Sequence, residues 1–296
     1  MAVNKFSRLM STVVLLLLAA ALLVPAVSCG KQEEDNNKIG VAVTILPQAE
    51  FVEKVGGDKV SVTVMVPPGA NPHSTELTPS QMTEVAKAKM YAKVGSGIEF
   101  ELTYMDKLTA INKSMQVVDC SKGIELITSV DPDEPGKDPH IWLSPQNAKI
   151  MVQNICEGLV QIDPVNKAYY EQNRDDYLQD LDNLNQEIRA KLAGVQNRAF
   201  IVFHPAWGYF VRDYNLEEIP IEVEGKEPSA QDVVLVIQKA KELNIKIIFA
   251  SPQFNPQMAE VIAREIDGRV VFINDLAKDY ISNLRTVSDE LFEAME

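Results

Sequence analysis

Histidine, cysteine and tryptophan are scarce: the 296 residues hold three, three and two of them. So few cysteines exclude a disulfide framework, and Cys120 and Cys156 lack the clustered spacing of a zinc–cysteine site. Their apolar surroundings suit buried free thiols as well as an extracytoplasmic pair, and the sequence does not choose between the two. Positive charge is also short, with 28 Lys and Arg against 42 Asp and Glu. Nucleic-acid phosphates need basic partners, so no nucleic-acid partner is expected. No second hydrophobic span follows the N-terminal one, which excludes a multi-span membrane protein. His-Glu-x-x-His, Gly-x-Ser-x-Gly and a Walker loop are missing, and Gly95-Ser96-Gly97 lacks the rest of any phosphate-binding fingerprint. There is no repeat of solenoid period and no low-complexity tract.

What is present begins with a targeting segment. Lys5 and Arg8 form a short positive region before the uncharged apolar run Val13 to Val24. That run is too short for a comfortable transmembrane helix and reads as a signal peptide. It ends in Ala26-Val27-Ser28-Cys29, which looks like a bacterial lipobox. Cleavage there makes Cys29 the lipidated N-terminus and anchors the chain to a membrane from the outside. Residues 29–38 are polar and read as a flexible tether. Loss of residues 1–28 leaves 26 basic residues against 42 acidic ones, a net charge of −16.

The mature part alternates strand-like and helix-like segments, the pattern of α/β architecture with parallel sheets. Strands are predicted at Ile39 to Ile45, Val60 to Val66, Met90 to Val94, Ala199 to Phe203, Ile219 to Val223, Ile245 to Ala250 and Val270 to Ile273. In the middle, Asp163-Pro164 is an N-cap signal and Gly194 a left-handed C-cap signal. Between them Tyr177, Leu181, Leu184, Ile188 and Leu192 recur at helical spacing. A single helix from Pro164 to Ala193 would span about 45 Å and act as a strut between two lobes. The predicted division is an N-terminal lobe at 39–162, the linking helix at 163–194 and a C-terminal lobe at 195–296.

Each of the three histidines adjoins a proline in a loop: Asn71-Pro72-His73, Asp138-Pro139-His140 and Phe203-His204-Pro205. Each falls at or beyond the end of a strand-like segment, where ligands collect in open α/β sheets. Neutral imidazole is the commonest ligand for borderline metals, and three of them suit zinc with a fourth position left for a carboxylate or water. His73 and His140 precede the strut and His204 follows it, so a shared ion would lie between the lobes. Fourth-ligand candidates are Asp275 after the last strand, and Glu222 or Glu224 after an earlier one. Glu76 and Asp138 are expected as outer partners that hold imidazole N–H groups.

These motifs resemble those of the zinc/manganese-specific substrate-binding lipoproteins of ABC metal importers, the ZnuA/TroA-like family. Gly69-Ala70-Asn71-Pro72-His73 is similar to the family's Gly-Ala-Asp-Pro-His, and Asp138 to Pro145 match Asp-Pro-His-x-Trp-Leu-x-Pro. Phe203 to Phe210, Glu227-Pro228-Ser229, Pro252-Gln253-Phe254 and Leu276-Ala277 extend the likeness from about Lys38 to the end. The resemblance implies two lobes, each a four-stranded parallel sheet flanked by helices, joined by one long helix with the metal in the cleft. Two departures stand out. The family's last ligand is usually an aspartate, and here register puts Asn274 in that slot with Asp275 one residue later. The His-rich loop of many zinc-specific members is also absent, for Asp131 to Asp138 holds no histidine.

The expected function is capture of Zn(II), with Mn(II) as the alternative, by a lipid-anchored monomer. It would deliver the ion to a membrane permease driven by a cytoplasmic ATPase. In the family the third position is often glutamate in manganese receptors, and His204 stands there. The rival from another class is a three-histidine zinc hydrolase, against which no general base sits in a recognisable motif. Adhesion is a secondary role that the resemblance allows and no residue argues for.

Overall fold

The computed structural model describes residues 38–128, 136–222 and 228–296. The expected signal peptide, lipobox and Cys29 lie outside those residues, as do most of the acidic loop before Asp138 and Glu224.

Two parallel sheets carry the fold. The first is built from β1 (Ile39–Val43), β2 (Val60–Val64), β3 (Met90–Lys93) and β4 (Gln116–Asp119), in the order β2-β1-β3-β4. The second repeats that order with β5 (Ala199–Val202), β6 (Glu217–Pro220), β7 (Ile247–Ala250) and β8 (Arg269–Phe272), as β6-β5-β7-β8. The central strands β5 and β7 are buried along their whole length, as near-continuous apolar runs covered on both faces should be. The expected α/β fold with two four-stranded sheets is present.

Helices flank both sheets: α1 (Leu46–Gly56), α2 (Pro79–Lys87), α3 (Glu99–Ile111), α4 (Pro145–Ile162), α5 (Lys167–Leu192), α6 (Gly208–Tyr214), α7 (Ala230–Glu242), α8 (Gln257–Glu265) and α9 (Tyr280–Met295). Their starts obey local chemistry. Thr78 accepts from the Gln81 N–H and Ser229 from the Asp232 N–H, each within a reciprocal capping box. Ser144 accepts from the Asn147 N–H, and Pro145 occupies the first turn where its missing N–H costs nothing.

The long helix differs from its sequence reading at both ends. Pro164–Asn166 form a separate 3-10 turn, and α5 has 26 residues, about 39 Å. The Asp163 carboxylate does not cap it, because it accepts from the Asn166 amide and the Tyr170 hydroxyl instead. At the other end Ala193 keeps right-handed helical geometry, and Gly194 is not among the residues of positive φ. The apolar stripe holds: Tyr177, Leu181, Leu184, Ile188 and Leu192 are all buried. Strand β6 starts two residues earlier than expected. Asn215, at φ 53°, ends α6 abruptly, and Glu217 pairs at once with Ala199. Pro220 is tolerated because β6 is an edge strand.

A large apolar core runs through the molecule. It joins Val41, Phe51 and Met90 of the first half, Leu181 and Leu184 of α5, and Phe200, Trp207 and Tyr280 of the second. A smaller core, with Ile201, Ile248 and Ile262, fills the other face of the second sheet. Cys120 and Cys156 are both buried free thiols.

Candidate metal centre

His73, His140 and His204 meet. Their candidate donor atoms all lie within 4.8 Å of one another, and among the described residues this is the group of metal-binding side chains that converges so. The Nε2 atoms of His140 and His204 are 3.3 Å apart. Ring centroids of His73 lie 5.7 Å from His140 and 5.1 Å from His204. His140 and His204 are buried and His73 is partly so.

Each imidazole is turned by a carboxylate on its other nitrogen. His73 Nδ1 is 2.6 Å from Glu99 Oε2, His140 Nδ1 is 2.9 Å from Asp138 Oδ1, and His204 Nδ1 is 2.5 Å from Glu222 Oε2. An N–H donated from Nδ1 fixes the tautomer and leaves the Nε2 lone pair free for a metal. The partners come from different elements. Glu99 opens α3, just past the end of β3. Glu222 follows β6, while Asp138 lies in the same loop as its histidine and also accepts from the His140 N–H at 2.9 Å.

The backbone around these loops is pinned. Asn71 Oδ1 accepts the His73 N–H at 2.8 Å, and the Ser96 hydroxyl donates to the Pro139 carbonyl at 2.5 Å. Tyr209 donates its hydroxyl to the Asp138 carbonyl at 2.9 Å. Gly208 is needed for close approach: a Cβ there would come 2.4 Å from Asp138 Oδ2. Phe254 stacks on the His204 ring, with centroids 4.5 Å apart and planes 24° from parallel, and covers one side of the site.

Asp275 is buried outside the group whose donor atoms converge, and its carboxyl feels the charge of His204 and His73. Burial raises its carboxyl above the usual range, against the pull of His204, of hydrogen bonding that includes Ser251, and of His73. Its Oδ1 is buried without a hydrogen-bond partner. A buried carboxylate oxygen without a donor is an acceptor in want of a cation or a proton. Burial also pulls His73 down, yet the hydrogen bond and charge of Glu99, with Glu222 and Asp275, outweigh it and hold this imidazole above 6.5. His204 goes the other way: burial lowers it, His140 and His73 add to the effect, and Glu222 opposes them.

Several sequence expectations change here. Glu76, expected to hold an imidazole N–H, is exposed, and the carboxylate on His73 Nδ1 is that of Glu99. Glu222, weighed as a fourth ligand, stands behind His204 instead. Asn274 turns its Oδ1 to the Leu276 N–H and to Gln253 Nε2, both at 3.0 Å, so the amide closes a turn and does not reach for an ion. No sequence expectation covers Glu99. Its one sequence signal is its position just beyond a predicted strand end, at the start of a helix.

Fold and site together define a two-lobed metal receptor of the periplasmic binding type. The profile of the family described as "Zinc-uptake complex component A periplasmic" matches residues 41–294, and the chain belongs to that family. It is 29% identical over 260 residues to the high-affinity zinc uptake system protein ZnuA of Bacillus subtilis, covering 83% of this chain and 81% of that one. It is 24% identical over 307 residues to the manganese ABC transporter substrate-binding lipoprotein PsaA of Streptococcus anginosus, covering 97% and 98%. A solved crystal structure of ZnuA superposes with a TM-score of 0.84 at 41% identity, over 88% of this chain and all of that one.

Proposed function

We propose that this chain is an extracytoplasmic receptor that binds Zn(II) through Nε2 of His73, His140 and His204, with Asp275 as fourth donor. The observation that carries the reading is the convergence of three imidazoles, each with its Nδ1 held by its own carboxylate. Three nitrogens and one oxygen suit tetrahedral zinc, whereas manganese favours a site richer in oxygen. Capture rather than turnover is the role, because Glu99, Asp138 and Glu222 are engaged on imidazoles and not poised as a general base. The zinc uptake protein of B. subtilis and the manganese lipoprotein of S. anginosus support delivery of the ion to an ABC permease with a cytoplasmic ATPase. Lipidation of Cys29 after removal of residues 1–28 would tether a monomeric receptor to the membrane through residues 29–38. The lobes at 39–162 and 195–296, joined by 163–194, would move little on binding, since one core runs through both.

The test is elemental analysis of protein purified without added metal, followed by zinc–manganese competition. One zinc per chain and preference for zinc at equal free concentrations are expected. Displacement of zinc by manganese under those conditions would overturn the zinc assignment. Metal-dependent hydrolysis of esters or peptides would overturn the receptor role.

A further inference from the structure

We propose that Trp142 is a positioning residue for the metal centre: its indole fixes the His140 loop against Asp275 across the seam between the two halves. The inference rests on the reading that His140 and Asp275 serve the same ion.

Trp142 lies in the 3-10 turn Ile141–Leu143, two residues after His140, and is fully buried. Its Nε1–H donates to the backbone carbonyl of Asp275 at 2.7 Å. The same residue is held in return, because Tyr280 donates its hydroxyl to the Trp142 carbonyl at 2.7 Å. The two halves therefore clasp each other in both directions within one short stretch of chain. The clasp is tied to the long helix. Glu50 of α1 accepts the Tyr280 N–H on Oε2 and the Tyr177 hydroxyl of α5 on Oε1, each at 2.7 Å. The indole also packs edge-on against the His140 ring, with centroids 5.3 Å apart.

A purely space-filling role would be met by any large apolar side chain. The acceptor chosen argues for more: it is the carbonyl of Asp275, the proposed fourth donor, whose Oδ1 is buried without a partner. A rigid link between that backbone and the His140 loop sets the distance between an imidazole of one half and a carboxylate of the other. Loosening it would let Asp275 drift while the three histidines keep their own carboxylate partners.

The test is a double-mutant cycle read as zinc affinity by chelator competition, with apo thermal midpoints measured in parallel. Trp142→Phe removes the N–H and keeps most of the bulk. In the wild-type background it should weaken zinc about tenfold, the low end of the loss expected when a group that orients a metal ligand is removed. In the Asp275→Ala background it should weaken zinc by less than about twofold, because the carboxylate through which it acts is gone. Tyr280→Phe, which removes one hydroxyl from the same clasp, should act in the same direction if Trp142→Phe proves poorly folded. Leu181→Ala, in the core of α5, should lower the thermal midpoint and leave zinc affinity unchanged. An equal loss from Trp142→Phe in both backgrounds would overturn the proposal and leave the zinc site standing. Undiminished affinity in the single-histidine variants would instead overturn the ligand assignment itself.

Discussion

Glutamine in place of Glu222 removes a charge and almost no volume. The Glu222 carboxylate holds the Nδ1–H of His204 at 2.5 Å, with the two side chains 9% and 8% exposed. Across the imidazole and a Zn–N bond of about 2.0–2.1 Å, the carboxylate oxygen lies about 6–7 Å from the ion. A unit negative charge at that range attracts a divalent cation by about 5 kcal/mol at an effective dielectric of 20, and by about 1 kcal/mol in bulk water. Glutamine can still accept the N–H, so only the charge is lost, and part of that loss is offset by easier burial of a neutral group. Outer-shell substitutions of this kind cost about 10–100-fold in affinity, within that window. The buried Glu222→Gln variant is expected in the upper half of that range. Glu99→Gln is expected below about tenfold, because the Glu99 side chain is 49% exposed and better screened. The assay is chelator-buffered zinc titration at fixed pH and salt. A Glu222→Gln variant within about twofold of wild type would refute the claim that the paired carboxylate contributes through its charge.

Alanine at His73, His140 or His204 should each weaken zinc severely while the apo chain still folds, and Asp275→Ala should cost less than any of them; titration of the four variants checks the order. Affinity should fall as pH drops, because protons compete for the same nitrogens, and His73, held above the ordinary imidazole range, should protonate before His204, held below it. Because Glu99 is what raises His73, Glu99→Gln should move the onset of that fall to lower pH; an onset that stays put would dissociate the two. Gly208→Ala should weaken zinc several-fold with a small change in thermal midpoint, as its Cβ must push Asp138 Oδ2 aside from 2.4 Å. Cys29→Ser should release the protein from membranes, and mass spectrometry showing an unmodified internal Cys29 in native protein would defeat the anchor.

The fold was legible where local chemistry and long-range packing agree. The proline-stiffened histidine loops and the apolar stripe of α5 both say in sequence what they do in space. The α-helix starts three residues later than its N-cap signal predicts because Asp163 has better partners than the helix terminus: the Tyr170 hydroxyl and the Asn166 amide hold its carboxylate. Strand β6 starts before its sequence signal because its one β-branched residue, Ile219, is third in it, while pairing with β5 begins at two glutamates. Periodicity reports which face is buried; it is weak where an edge strand is half solvated.

The histidines announced themselves because three residues of a rare type share one local pattern. Their partners do not share a pattern. Asp138 is legible because it is two residues from its histidine, so the contact is fixed by a turn. Glu99 and Glu222 are 26 and 18 residues from theirs, and each is one acid among 42. What selects them is the register of two parallel sheets with the same strand order, which sends a residue past the end of one strand toward the loop of another. The same holds for Trp142 and Asp275, 133 residues apart yet joined by one hydrogen bond. A metal centre of this kind is therefore two problems for a sequence. The donors follow from residue type and local stiffness. The groups that orient them, and the seam that spaces them, follow from topology.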